Sequence, residues 1–231
     1  MSMKIKKQAI LLSLVFILII FIFNIVQQKD TSQSCLSLTF DDGYKTDYST
    51  VVPLLKENDF KATFFLITSY YKSGQSYLLN KSDIKEIIQE GHEIGSHTIS
   101  HLYLDNMSTE EIYQEIVASK INMEEDFNIS ISSFAFPYSD YNRRTLNLAR
   151  EHYDNIRFHD YALTNETDID KICTKINKAQ KKGKNIVILF HDISETPNYW
   201  GTSIENFEKI IDCIRKSNII VDTLDGCNNR K

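Results

Sequence analysis

Two adjacent carboxylates, Asp41 and Asp42, close the apolar run of "LSLTFDDG" (residues 36–43), and Gly43 follows at once. A sheet interior gives no shelter to paired negative charge, because an unpartnered acid is costly to desolvate and each carboxylate raises the pKa of its neighbour. A cation or a proton-transfer task would account for them. "GSHTISHLYL" adds His97 and His101, four residues apart, and one helical turn would aim both imidazoles at a common point, as a metal requires of two nitrogen ligands. A carboxylate from the first run would complete a three-ligand site with an open position, for which zinc is the first choice. Taken alone, two histidines so spaced are more often surface or core residues. "FAFPYSD" (Tyr138) and "ILFHDI" (His191, Asp192) shift that balance, since each ends another apolar run in the same way.

The elements that must position these residues are legible as strand-type runs: "CLSLTF", "KATFFLI", "HEIGSH", "SSFAFPY", "NIRFH", "NIVILFH" and "NIIVDTL". Amphipathic segments alternate with them: "TDYSTVVPLLKEN", "SDIKEIIQE", "STEEIYQEIVASKINMEEDF", "NRRTLNLAREHY", "DIDKICTKINKAQKK" and "SIENFEKIIDCIRKS". Ser108 with Glu111 forms a capping box, and Gly91 and Gly183 each follow a helical pattern as C-terminal caps. Such alternation predicts a parallel sheet covered by helices, open or closed into a barrel, with chemistry at the carboxyl ends of its strands. All the titratable clusters fall at that edge.

The chain has 231 residues and is 42% apolar, enough for one sizeable core. Residues 9–26 hold only Ser13 and Asn24 as polar interruptions, and a helix of that length spans about 27 Å, so they read as a transmembrane anchor. Lys4, Lys6 and Lys7 precede the run, which places residues 1–8 in the cytoplasm and the rest outside a single-pass cell-membrane protein; a cleaved signal peptide is the competing reading. Residues 27–34 form a linker to one domain over 35–231. Beyond residue 28, 31 acidic against 23 basic residues leave a net charge of −8, which argues against nucleic acid as a partner. Cys35, Cys173, Cys213 and Cys227 are even in number and would sit in an oxidising compartment, but Cys173 and Cys213 fall on or beside apolar helix faces, so buried thiols are the preferred reading and disulfides stay open. His92, His152 and His159 are read as structural or solvated, and the sequons at Asn80, Asn106, Asn128 and Asn165 as uninformative.

Taken together the motifs resemble the polysaccharide deacetylases with a NodB-homology domain, carbohydrate esterase family 4. "TFDDG" is similar to that family's first motif, "HTISH" to its second, "FPY" to part of its third and "LFH" to its last, in the same order, over about Leu36 to Leu224. The resemblance implies a distorted (β/α) barrel of NodB type and hydrolysis of N-acetyl groups on a glycan such as peptidoglycan, a chitin-like oligomer or poly-N-acetylglucosamine. It implies Asp42, His97 and His101 as ligands of a divalent metal, first of all Zn2+, and Asp41 as general base on the metal-bound water. Tyr138 would offer its backbone N–H to the oxyanion and His191 would act as general acid. Leu189 would line the pocket for the acetyl methyl, with a plain core leucine as the equal alternative, and Tyr138 and Trp200 would meet the sugar.

The match departs from the family in three places. Ala135 stands where an arginine usually pairs with the base, Ser139 stands where glycine is usual, and the acid that orients the last histidine has no clear counterpart between Arg157 and Thr167. Asp160 could substitute, though it reads more naturally as a surface acid. These departures keep two alternatives open: a non-catalytic glycan-binding module that retains the metal site, and an O-acetyl esterase on the same fold.

Overall fold

The computed structural model describes residues 34–230. The expected anchor (9–26), the cytoplasmic residues 1–8 and nearly all of the linker lie outside the described residues. Among the described residues, no helix is long and apolar enough to cross a membrane.

Strand β1 (Cys35–Asp42) is the centre of the sheet. Alternating side chains give it two faces. Leu36, Leu38 and Phe40 point to one, where Phe40 stacks between Phe64 of β2 (Thr63–Leu66) and Phe190 of β7 (Ile186–Phe190) at 5.0 and 5.2 Å. The register pairs Phe40 with both rings, so the stack follows from the strand alignment, and Phe207 of the covering helix closes it edge-on at 5.9 Å. The other face is small or polar: Ser37, Thr39 and Asp41 on β1, then Glu93 and Gly95 on β3 (Glu93–Ser96). A Cβ at Gly95 would stand 2.5 Å from the Phe65 ring, so that ring fills the inner face only because residue 95 is glycine.

The remaining strands are β4 (Ser133–Phe134), β5 (Asn155–Ile156), β6 (Tyr161–Ala162) and β10 (Ile220–Val221), with β8 (Ile193–Ser194) and β9 (Thr202–Ser203) forming a separate pair. The sheet order is β5-β4-β3-β2-β1-β7-β6, β10 also pairs with β1, and every pairing is parallel. Among the described residues β5 and β6 end the order unpaired with each other, so the expected barrel is an α/β half-barrel.

The helices are α1 (Val52–Glu57), α2 (Thr68–Lys72), α3 (Lys81–Gln89), α4 (Thr109–Tyr113), α5 (Ser119–Phe127), α6 (Arg143–His152), α7 (Ile169–Lys182), α8 (Ile204–Ser217) and α9 (Leu224–Asn228). The Ser108–Glu111 capping box forms, Gly183 caps α7 in the left-handed region, and Gly91 takes φ 83° just after α3. Asn80 is the N-cap of α3, accepting from the N–H groups of Ser82 and Asp83. Three expected strands are shortened to two residues: "SSFAFPY" to Ser133–Phe134, "NIRFH" to Asn155–Ile156 and "NIIVDTL" to Ile220–Val221, after which Thr223 caps α9 through the Gly226 N–H.

The cysteines correct the expectation of free thiols. Cys35 is bonded to Cys227 and Cys173 to Cys213, each pair with Cα atoms 5.5 Å apart. The parallel pairing of β1 with β10 brings α9 over the start of β1, and packing of α7 on α8 brings the second pair together.

Candidate active site

The register decides which side chains meet. Asp41 lies on the inner face, in line with Phe65 of β2 and, through it, Gly95 of β3. Following the same parity to β5 and β7 puts Asn155 and Arg157, and Leu189 and His191, on that face too. Asp41, the last-strand histidine and an arginine therefore converge at the carboxyl ends of the strands.

Asp42 turns out of the strand with φ 77°, and Gly43 follows at φ 78°. Its Oδ1 lies 3.7 Å from His97 Nε2 and 3.4 Å from His101 Nε2. Three ligand atoms from these residues fall within 4.8 Å of one another. The two histidines are not on one helical turn, as their spacing suggests. His97 directly follows β3 and opens a loop in which Thr98 and His101 both have positive φ, 70° and 56°. That loop is braced by the buried Glu115, whose Oε2 accepts from the N–H groups of Ile99 and Ser100 at 3.0 and 2.9 Å, and the His101 N–H donates to Thr98 Oγ1. Five of the eight non-glycine residues with positive φ among those described, Asp42, Thr98, His101, Tyr138 and Ser139, belong to this edge, which locates the backbone strain at the site.

The donor set fits a divalent metal. His97 Nδ1–H donates to the Ala135 carbonyl at 2.8 Å, which fixes the tautomer and leaves Nε2 as the free lone pair. Asp42 Oδ1 is buried without a hydrogen-bond partner among the described residues. Burial, then the charge of Asp41, pushes the Asp42 carboxyl up to about 7, so it is the group that gains most from a cation. Burial takes His97 down to about 4, and it lowers His101 as well, so both rings are neutral and able to ligate at neutral pH.

Asp41 is different. Burial alone would raise it, but the Arg157 guanidinium, followed by His97, His191 and His101, holds its carboxyl below the usual carboxylate range. Arg157 donates from Nη2 to Asp41 Oδ2; the two side chains are 1% and 3% exposed, and the guanidinium lies over the Phe65 ring at 5.4 Å. The partner that Ala135 fails to provide is supplied from the end of β5. Sequence reasoning missed Arg157, although an arginine inside "NIRFH", in step with the other inward residues, was the available signal. His159 also belongs here rather than to solvent, since its Nδ1 is 3.0 Å from Arg157 Nη1.

His191 is half-buried, and burial lowers its pKa below 6.5 against the pull of Asp41. Its Nδ1 has no partner among the described residues. Asp160 does not orient it: that carboxylate is exposed and accepts from the Val187 N–H at 2.8 Å. Asp192 accepts from Thr46 and Ser194 hydroxyls and serves the loop. Leu189 is buried two residues before His191 on the inner face. The Tyr138 ring packs on His101 at 4.6 Å, with its hydroxyl donating to the His101 carbonyl, and it stacks on Tyr103 at 4.0 Å. Trp200 is 60% exposed with its ring 6.4 Å from that of His191.

A family model described as polysaccharide deacetylase matches residues 28–153. The chain is similar to the peptidoglycan-N-acetylglucosamine deacetylase of Bacillus cereus, 37% identical over 90 residues that cover 38% of this chain and 39% of that one. It is also similar to chitin deacetylase 2 of Saccharomyces cerevisiae, 31% identical over 178 residues, 73% of this chain and 54% of that one. The chain thus spans about half the length of these relatives or less. A solved family 4 carbohydrate esterase from Bacillus anthracis shares the fold, with a TM-score of 0.67 over 87% of this chain and 86% of that one at 24% identity.

Proposed function

Because the chain belongs to the polysaccharide deacetylase family, we propose that it is a metal-dependent N-deacetylase acting on N-acetylhexosamine residues of a cell-surface polysaccharide such as peptidoglycan, a chitin-like oligomer or poly-N-acetylglucosamine. The observation that carries this reading is the division of labour between two neighbouring acids. Asp42 faces two neutral imidazoles and no cation, whereas Asp41, although also 3.5 Å from His97 Nε2, is paired with a buried arginine and stays ionised.

Asp42, His97 and His101 would hold the cation, zinc by preference for this ligand set. Bound there, it supplies Lewis acidity toward water and toward the amide carbonyl. Asp41 takes a proton from the attacking water as the new C–O bond forms and the carbonyl electron pair moves onto oxygen. The backbone N–H of Tyr138 receives that oxyanion charge, and the positive φ of 57° at Tyr138 supports the assignment because it turns the peptide out of regular structure. His191 delivers a proton to the departing nitrogen as the C–N bond breaks, giving acetate and a free amine. Since burial lowers His191 and it enters neutral, the proton that Asp41 takes from the water is the one that passes to His191 and on to the nitrogen, which returns Asp41 to its carboxylate form. Leu189 bounds the acetyl methyl, and Tyr138 and Trp200 offer aromatic faces to the sugar.

The two disulfides support an oxidising compartment, hence the outer face of the membrane, with residues 9–26 as the anchor on the strength of their sequence. His191 Nδ1, without a partner among the described residues, favours a second reading, a glycan-binding module that keeps the metal site without turnover. Acetate release from chitooligosaccharide and from peptidoglycan fragments by the zinc-loaded chain separates the two. Release abolished by Asp41→Asn and by chelation is expected. Stoichiometric zinc and glycan binding without release would establish the module instead, and release from O-acetylated glycans alone would establish an esterase.

A further inference from the structure

The cavity beside the base, about 180 Å³, is lined by Phe136, Ser139, Tyr141, Arg157, Phe158 and His159. Two of these, Arg157 and His159, form a chain that ends on the base. Arg157 Nη2 donates to Asp41, and Arg157 Nη1 meets His159 Nδ1 at 3.0 Å. A guanidinium has donors and no acceptor, so this contact is a hydrogen bond only when His159 Nδ1 carries a lone pair. The geometry points to His159 as a positioning residue, whose neutral Nε2–H tautomer accepts from Arg157 and so holds the guanidinium against Asp41. This rests on the reading of Asp41 as the base given above.

The other positions of the guanidinium show why an anchor is needed. Arg157 Nε has no partner among the described residues, and the Phe65 ring below constrains the plane without fixing rotation within it. Nη1 and Nη2 therefore define the orientation, one through His159 and the other through Asp41. Protonating His159 would set an N–H and a positive charge against another donor and another positive charge. The groups that face His159 are Arg157 from its own segment, Asp41 from β1, His191 from the end of β7 and the adjacent Asp160. Burial and then Arg157 lower the His159 pKa below 6.5, against Asp41 and Asp160, and His191 adds to the lowering. The anchor is therefore present at neutral pH and is lost on the acid side.

The test pairs two variants with a direct view of the ring. His159→Ala removes the acceptor, whereas His159→Asn places an amide oxygen near the Nδ1 position and does not titrate. In the zinc-loaded full chain His159→Ala is expected to lower kcat on chitooligosaccharide by roughly 10- to 100-fold with little change in KM, the order of effect that misplacing a reacting group produces. His159→Asn should recover most of that loss, and the acid limb of its pH profile should lose one ionisation. Nitrogen-15 NMR of the wild-type chain should show His159 as the Nε2–H tautomer at pH 7. An Nδ1–H or doubly protonated ring at pH 7, a His159→Ala variant with unchanged kcat, or a folded His159→Asn variant as impaired as His159→Ala would each overturn the assignment. A wild-type chain that releases no acetate from any glycan would refute the deacetylase reading, and the NMR result would still decide the tautomer.

Discussion

Replacing Arg157 by methionine would remove the guanidinium while keeping an unbranched apolar side chain of similar length. The exposures of 1% and 3% for Arg157 and Asp41 place the pair in the buried class, where deleting one partner strands an uncompensated charge and costs roughly 3–5 kcal/mol. A surface pair would cost less than about 1 kcal/mol. Little else rescues Asp41 at neutral pH: His97, His191 and His101 help to lower its carboxyl only when charged and all three are themselves taken below 6.5 by burial, while Asp41 Oδ1 has no partner among the described residues. The sign of the pH dependence follows. With Arg157 present the Asp41 pKa is depressed, so its contribution is full above the ordinary value of 3.8 and fades as pH falls through the lowered folded value. Without Arg157 the same carboxyl has a raised folded pKa, and the penalty is greatest at neutral pH and shrinks toward pH 4. Urea unfolding followed by circular dichroism at pH 7.5 and pH 4.5 would read both features. The double variant Arg157→Met with Asp41→Asn should recover most of the stability, because no buried charge remains. A loss under about 1 kcal/mol at pH 7.5, well below the buried-pair range, or a loss of equal size at both pH values, would refute the reasoning.

Two further outcomes are expected. His92, buried at the opposite end of β3, accepts the Ala62 N–H at Nδ1 and is taken down to about 4 by burial and then by Lys61. Its stabilising contribution is present above about pH 6.5 and falls by about 3 kcal/mol as pH drops toward the folded value, a loss that His92→Asn should abolish in paired pH-dependent unfolding curves. The disulfides close loops of very different length, with sequence separations of 192 for Cys35–Cys227 and 40 for Cys173–Cys213. On the loop-entropy model their removal costs up to about 5 and about 4 kcal/mol, so Cys227→Ser should lower the melting temperature more than Cys213→Ser, and alkylation mass spectrometry of the unreduced chain should find no free thiol.

Much of this arrangement is legible in the sequence because strand ends and motif residues coincide. "TFDDG", "HTISH" and "LFH" each finish an apolar run, and parallel topology then collects the finished ends at one edge. The two histidines needed no helix for that: the loop after β3, not a helical turn, brings His97 and His101 beside Asp42. What escaped was information carried by register. Arg157 lies four strands from β1, and only the inward parity running through Phe65, Gly95, Ser133 and Asn155 shows that it reaches Asp41. The cysteine pairings escaped for a similar cause: Cys35 and Cys227 stand at opposite ends of the folded unit, and nothing local in either segment announces that β10 returns beside β1.

That return has a mechanical consequence. Parallel strands pulled along their length must shear several hydrogen bonds at once, but a strand at the end of a chain can still be drawn out of its sheet. Here a pull arriving at Ser34 from the preceding chain meets the Cys35–Cys227 bond one residue later. The load passes to α9 by a covalent route and bypasses the hydrogen bonds of β1. The strand that presents Asp41 and Asp42 is thereby relieved of tension, and a domain tethered through its N-terminal side could sustain drag from a polymer without its two acids shifting against the histidines opposite.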